Sequence, residues 1–326
     1  MATMFHTLRG IWSSLSVMAL ITGPPVVALT SALTVLYRAI LAKSRYARWA
    51  LLIYLIYTVY NYKIHLKGGR QVDFIRYGRL WRWARAYFPC RVIRDDGATH
   101  DPTKKYIIAC HPHGIVPFGA FFNILTNTDA FPGLQSRFVT VNANFMVPVW
   151  RDVMMAAGFV DASLRSCQNC LRRGLSLMIA IGGASESLYS RPGSYDLVLE
   201  RRLGFIRLAM QEGADIIPTF TFGETATYRP LLNNSRGTWL RRAQEAVLRL
   251  LGFAPVLTHG RAIGLGILPY RAPLTTVIGK PFVVPRAQNP SQYVSFHSHC
   301  SSTCLHILVN IRLYLYILSN LTFSIS

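Results

Sequence analysis

The sequence predicts a membrane-associated α/β domain with a mixed or mostly parallel sheet, preceded by an N-terminal transmembrane helical hairpin. Three observations lead there. No charged residue occurs from Gly10 to Tyr37, and a second apolar run follows from Trp49 to Tyr60. After residue 105, short β-rich runs alternate with helix-like segments. Of the 326 residues 51% are hydrophobic and only 15% charged, yet the formal net charge is +21. Basicity combined with apolarity suits an anionic membrane surface and an anionic substrate. Nucleic-acid binders carry their basic residues on polar surface, which this composition does not supply, so no nucleic-acid partner is expected.

Residues 1–62 form the predicted hairpin. A spanning helix needs about 20 apolar residues, and residues 15–37 supply them with a bend at Pro24-Pro25. The run from Trp49 to Tyr60 is short for a full crossing, so the pair reads as a hairpin embedded in or crossing the bilayer. A signal peptide is the weaker reading, because no strong basic segment precedes the first run and a second run follows it. Arg38, Lys43, Arg45 and Arg48 lie between the runs, and residues 63–94 hold nine Lys or Arg against one acid. Both groups are cytosolic only if one run does not fully span. The larger C-terminal part is assigned to the cytosolic side.

Residues 63–104 read as a basic interfacial segment. Phe74, Tyr77, Trp81, Ala84 and Phe88 recur at helical spacing, with Arg76, Arg79, Arg82 and Arg85 on other faces. The competing reading is a core-facing helix with a solvated arginine side. Residues 105–286 form the predicted catalytic domain. Its strands are expected at Tyr106–Cys110, Phe138–Val141, Leu177–Ile181, Ile216–Phe222 and Thr275–Ile278, with helices around 118–126, 151–158, 202–212 and 238–251. Cys90 and Cys110 sit beside apolar stretches and read as reduced core thiols. Cys167-x-x-Cys170 and the group His297, His299, Cys300, Cys304 and His306 have zinc-like composition, but they are far apart in sequence, and no metal is assigned.

Three loops at strand ends carry chemistry. His111-Pro112-His113-Gly114 follows the first strand of the domain; proline stiffens that turn and glycine admits close approach to its backbone. Two histidines there supply a general base and its partner. Gly182-Gly183-Ala184-Ser185-Glu186 follows another strand, with backbone N–H groups for an anion or oxyanion and a carboxylate close by. It is neither a nucleophile elbow, lacking G-x-S-x-G spacing, nor a phosphate loop, lacking Gly-Lys-Ser/Thr. Phe222-Gly223-Glu224 ends a third strand on the same sheet edge. Arg201 and Arg202 suit phosphate groups, although solvated surface arginines are the ordinary reading.

Together with Lys67-Gly68-Gly69-Arg70, Tyr87-Phe88-Pro89, Asn144-Phe145 with Pro148, Pro192-Gly193, Arg202–Ala209, Gly213-Ala214-Asp215 with Pro218, Gly252-Phe253-Ala254-Pro255, His259-Gly260-Arg261 and Leu268-Pro269-Tyr270 through Lys280-Pro281, these loops resemble the type-2 diacylglycerol acyltransferase family over roughly residues 60–286. The family includes monoacylglycerol and wax-ester-forming members. The resemblance implies an enzyme of the endoplasmic reticulum membrane and lipid droplets, with its catalytic domain facing the cytosol. Acyl-CoA and diacylglycerol are its substrates and no cofactor is needed. A neutral histidine matches deprotonation of an acceptor hydroxyl near pH 7. On this reading His113 is the base and His111 orients it or the substrate. Glu186 or Glu224 supplies a carboxylate, since position 116 is Val and no acid follows the histidines closely. Gly114 or Gly182-Gly183 meets the oxyanion, Phe222 contacts substrate, and Arg201 and Arg202 hold CoA phosphates.

Other acceptors stay open, namely monoacylglycerol or a long-chain alcohol. So do two readings from other classes: a serine lipid hydrolase using Ser185, and a non-catalytic basic protein binding membrane or nucleic acid. Residues 287–326 depart from the family pattern, with Ser295-Phe296-His297-Ser298-His299-Cys300 and an apolar Leu305–Leu321 stretch interrupted by Arg312. They read as an incorrect gene model or a membrane-associating tail, the former being favoured.

Overall fold

The computed structural model describes residues 44–287, apart from 200, 201, 233, 253 and 262–266, together with residues 30, 33, 34, 37, 38 and 40. Nine strands occur among these residues: β1 (Cys90–Arg94), β2 (Tyr106–His111), β3 (Ser136–Thr140), β4 (Phe159–Asp161), β5 (Ser176–Ala180), β6 (Asp215–Phe222), β7 (Arg229–Pro230), β8 (Thr258–His259) and β9 (Leu274–Ile278). Seven form one sheet in the order β1-β9-β6-β2-β5-β3-β4, and β7 pairs with β8 apart from it. Strands β6, β2, β5, β3 and β4 are mutually parallel. The β9–β1 pair joins antiparallel at β6. The sheet is therefore mixed and mostly parallel, as the alternating pattern predicts.

β2 is central and buried along its whole length, which explains its unbroken apolar run. Its alternate side chains serve two layers. Ile107 and Ala109 pack with Cys167, Leu171, Phe205, Ile206 and Ala209 on one face. Tyr106, Ile108 and Cys110 pack with Ala120, Ile124 and Leu125 on the other. The helices bounded within residues 44–287 are α1 (Arg45–Tyr60), α2 (Asp73–Arg76), α3 (Arg79–Arg85), α4 (Trp150–Ala156), α5 (Leu164–Arg172), α6 (Ala184–Ser187), α7 (Gly204–Glu212) and α8 (Trp239–Leu251), with a π-helical turn at Ala120–Leu125. Ser163 and Thr238 cap α5 and α8 by accepting from Ser166 N–H and Arg241 N–H.

Four strands (β1, β4, β7 and β8) and two helices (α5 and α6) have no counterpart in the sequence reading. β1 is an edge strand carrying Arg91 and Arg94, and its charges hide the apolar alternation. β4 is only three residues long. α5 buries Ser166, Cys167, Cys170 and Leu171, so its core stripe is small and partly polar. Cys167 and Cys170 lie on that stripe, and burial pushes their thiols up to about 12 and about 11. Among the described residues no three His, Cys, Asp or Glu are grouped to hold a metal ion. His297, His299, Cys300, Cys304 and His306 lie outside them.

The first hairpin limb, residues 15–37, lies almost wholly outside the described residues. Among those described, no helix is long and apolar enough to cross a membrane. The second limb is α1, which has no buried residue. Trp49, Ile53, Ile56 and Val59 are all more than half exposed. Its C-terminal part is fastened to α4 by Tyr54 and Tyr57, whose hydroxyls donate to Asp152 at 3.2 and 2.9 Å.

The interfacial segment differs from its predicted pattern. Instead of one helix it forms α2 and α3 with Gly78 between them. Ala84 and Phe88 enter the core, while Phe74, Leu80 and Trp83 are exposed. Arg76, expected on a polar face, is 3% exposed. Its guanidinium donates to Leu125 O (2.9 Å), Ser136 O (2.6 Å) and Ser136 Oγ (2.9 Å), and also to Gln71. Burial lowers its pKa to about 10, which leaves it charged at neutral pH. Replacing Arg76 by Ala strands those buried carbonyls, at a cost of about 3 kcal/mol. Thermal unfolding of the detergent-solubilised chain is expected to show a lower Tm for Arg76→Ala, and an unchanged Tm would refute the buried role.

Candidate active site

Because β2, β5 and β6 are adjacent and parallel, their C-terminal ends open on one edge of the sheet. That is where ligands collect in folds of this kind. The loops leaving them are His111–Gly114, Gly182–Ser187 and Gly223–Ala226. The three chemical motifs, separated by up to about a hundred residues in sequence, therefore meet.

Two buried glutamates join these loops through backbone groups. Glu186, 2% exposed, accepts from His113 N–H at 2.8 Å with Oε2 and from Val198 N–H at 2.8 Å with Oε1. Gly182 leaves it room: a Cβ there would overlap the Glu186 carboxyl. Glu224, 1% exposed, accepts from Phe118 N–H and Gly119 N–H, each at 2.7 Å. Gly114 sits in the left-handed region (φ 62°) with its would-be Cβ 2.8 Å from Glu224 Cγ, so both its conformation and its packing require glycine. Burial raises the pKa of both carboxyls, that of Glu224 to about 8, against the opposite pull of their N–H donors.

Neither glutamate bonds an imidazole. The histidine–carboxylate pair expected from the sequence is replaced by a backbone contact. His113 Nδ1 lies 3.1 Å from Gly114 O and 3.4 Å from Ser187 Oγ. A carbonyl only accepts, so Nδ1 carries the proton and Nε2 the lone pair. Nε2 has no hydrogen-bond partner among the described residues. Burial lowers the His113 pKa, opposed by the Gly114 carbonyl, which keeps the ring neutral near pH 7.

His111 occupies a different environment. Joined to Pro112 by a cis peptide bond, it is 1% exposed. Neither of its ring nitrogens has a partner among the described residues, and burial takes its pKa down to about 3. It is a neutral ring at the root of the loop and does not orient His113 by a hydrogen bond.

The remaining predicted residues separate by position. Gly183 N–H closes a turn onto Ala180 O at 3.0 Å and is not free to meet an oxyanion. The N–H groups of Gly114 and Gly182 have no partner among the described residues. Phe222 packs on Phe220 and Tyr195, with ring centroids 4.8 and 6.0 Å away, next to the turn that carries Glu224. Arg202 is exposed and donates to Ser185 Oγ at 2.7 Å, while that hydroxyl donates to Gly182 O at 2.6 Å. Ser185 thus has its proton on a carbonyl and no base beside it, unlike a hydrolase nucleophile. Arg201 lies outside the described residues.

Ser187, Tyr195 and Val198 join the site without being singled out by sequence. Ser187 directly follows the Gly182–Glu186 motif. Tyr195 accepts from Gly223 N–H at 3.4 Å, and Val198 contributes only a backbone N–H, which side-chain chemistry cannot reveal.

With this geometry established, comparisons identify the family. The family model described as diacylglycerol acyltransferase matches residues 44–307. The chain is 40% identical to "Diacylglycerol O-acyltransferase 2" of Dictyostelium discoideum over 261 residues, covering 77% of this chain and 78% of that protein. It is 41% identical to "Diacylglycerol O-acyltransferase 2A" of Umbelopsis ramanniana over 245 residues (72% and 68%). Among solved structures it is similar to a 1-acyl-sn-glycerophosphate acyltransferase of Thermotoga maritima, with a TM-score of 0.42 and 12% identity over 98% of each chain. A family match spanning most of the chain, with relatives near 40% identity, means that this chain belongs to the diacylglycerol acyltransferase family.

Proposed function

We propose that the chain transfers an acyl group from acyl-CoA to the free hydroxyl of diacylglycerol, giving triacylglycerol and CoA, with His113 as general base. Membership of an acyltransferase family supports the reaction. The observation that carries the residue assignment is the His113 ring, with Nδ1 held on Gly114 O and Nε2 free at the end of the central strand.

Nε2 takes the hydroxyl proton as the acceptor oxygen attacks the thioester carbonyl carbon. The N–H groups of Gly114 and Gly182 meet the resulting oxyanion. Collapse breaks the C–S bond, and the proton passes from Nε2 to the departing CoA sulfur. Glu186 and Glu224 are positioning residues that hold the loop backbone, and His111 packs beneath it. Arg201 and Arg202 receive CoA phosphates, with Phe222 at the margin of the lipid site. Each step uses groups of this chain and the two substrates alone.

The same reading places residues 1–62 in the endoplasmic reticulum membrane as a hairpin, with access to lipid droplets. Residues 63–104 lie at the interface, the catalytic domain 105–286 faces the cytosol, and 287–326 form an atypical tail. The apolar residues exposed around α1 and the excess of basic side chains support this placement.

Microsomes containing the protein are expected to move label from acyl-CoA into triacylglycerol. Diacylglycerol, monoacylglycerol and a fatty alcohol offered in parallel identify the acceptor, and no transfer to any of them would overturn the reading. His113→Ala is expected to lose about 100-fold or more in rate, whereas full activity would remove His113 as the base.

Acidity gives a second test. A histidine with a lowered pKa stays neutral, and competent as a base, below its ordinary value of 6.5. The acid limb of kcat/KM against pH is therefore expected below 6.5, and a limb above that value contradicts the buried base. Glu186→Gln keeps one acceptor oxygen but turns an NH2 toward the other backbone N–H. It is expected to lower kcat by about tenfold or more with little change in KM. A rise in KM alone would assign Glu186 to substrate binding.

A further inference from the structure

Away from the catalytic loops, a cavity of about 350 Å³ lies between α1 and α4. That volume falls in the range of roughly 300–1,000 Å³ found for small-molecule sites. Val72, Ile75, Val149, Val153, Met155 and Ala156 supply its apolar walls, and Tyr54, Tyr57, Arg70 and Asp152 its polar end. No step of acyl transfer uses these residues.

The polar end is selective in charge. Both oxygens of Asp152 are occupied by the hydroxyls of Tyr54 and Tyr57. Arg70 donates from Nη1 to Tyr57 Oη (3.2 Å) and from Nη2 to Asn61 Oδ1 (2.5 Å), with its guanidinium 5.7 Å from the centre of the Tyr57 ring. Two of its five N–H donors are thereby used, and the fork is held in place with the others available to an anion. The rim is apolar: Val72, Ile75 and Val149 are 39%, 37% and 37% exposed. Helix α1 lines the groove with Tyr54 and Tyr57, and its Trp49, Ile53, Ile56 and Val59 are exposed as well.

We infer that this groove holds a glycerophospholipid of the bilayer, with an acyl chain along Val72, Val153 and Met155 and its phosphate on Arg70. The inference rests on the membrane placement of α1 proposed above. A lipid is favoured because α1 walls the groove with Tyr54 and Tyr57 and exposes apolar side chains along the same helix. A phosphate is favoured because Arg70 is the cation at the polar end and Asp152 is already satisfied. The bound lipid fills the space between the membrane helix and the catalytic domain, acting alongside the tyrosine–aspartate bonds.

The full-length chain is reconstituted into phosphatidylcholine vesicles containing phosphatidic acid with a photoreactive acyl chain, then irradiated, digested and mapped. Label is expected on the peptide containing Val153 and Met155. Arg70→Gln, which removes the phosphate contact, and Val72→Trp, which fills the groove, are each expected to lower that label about tenfold. Retained acyl transfer in both variants shows that they fold. A diacylglycerol probe with the same chain but no phosphate is expected to label this peptide weakly. Equal labelling of wild type and both variants would overturn the inference, as would preferential labelling by an acyl-CoA probe. Vesicle flotation without groove labelling refutes the site while leaving the membrane reading intact; failure to float refutes both, and neither result bears on His113.

Discussion

The loop that leaves β2 depends on two buried glutamate carboxyl groups that grip its backbone. Glu186 holds His113 N–H and Glu224 holds Phe118 N–H and Gly119 N–H, so the segment from 113 to 119 is fixed near both ends. Without these bonds, the buried N–H groups of Phe118 and Gly119 would be unsatisfied, each at a cost of about 1–3 kcal/mol, and the half-buried His113 N–H would lose its partner as well. The glycines follow from the same constraint. Gly182 and Gly114 are small because a glutamate side chain occupies the space a Cβ would need. The three loops are parts of one construction, and their shared strand edge is the condition for it.

This division of labour between side chain and backbone explains what was legible in sequence. The buried strands β2, β5 and β6 carry continuous apolar runs, and their termini could be read directly. His111-Pro112-His113-Gly114, Gly182-Gly183 and Phe222-Gly223-Glu224 mark those termini, so the location of the site followed from the strands. The partners within it did not. Sequence chemistry pairs a histidine with a carboxylate, whereas the contacts observed join carboxylates to N–H groups 73 and 106 residues away. Any residue other than proline has such an N–H, so nothing in the identity of Val198 or Phe118 advertises the bond. β1 and α5 were hidden for another reason. One carries arginines on an exposed edge and the other buries serine and cysteine, and both blur the periodicity that reveals elements with purely apolar faces.

Arg76 illustrates the same limit in the interfacial segment. Helical spacing separates aromatic from basic faces, and on that basis Arg76 belongs outside. It is instead drawn inside by the carbonyls of Leu125 and Ser136, with the chain broken at Gly78 to permit it. The exposed face that results, with Phe74, Leu80 and Trp83, remains apolar and aromatic, so its character survives although its membership changes.

The charge state of the site gives the arrangement its chemical sense. Acyl-CoA brings several negative phosphates, and the transition state adds an oxyanion. A histidine paired with an exposed, ionised glutamate would be more basic, but it would place a negative charge where the substrate accumulates more. Here the contact to Nδ1 is a neutral carbonyl, and burial biases both glutamates toward the protonated form. His111, beneath the loop, is neutral as well. In the acyl transfer proposed above, both glutamate shifts lessen the negative charge that the centre opposes to the substrate, and Arg202 and the wider basic surplus attract it from outside. With His113 as the proposed base, the cost is lower basicity, and rigid placement offsets that cost, because a fixed imidazole at a strand end needs no reorganisation when the hydroxyl arrives. Pinning the loop by its backbone and raising the pKa of the carboxyls that pin it are thus two consequences of burying the same pair of glutamates.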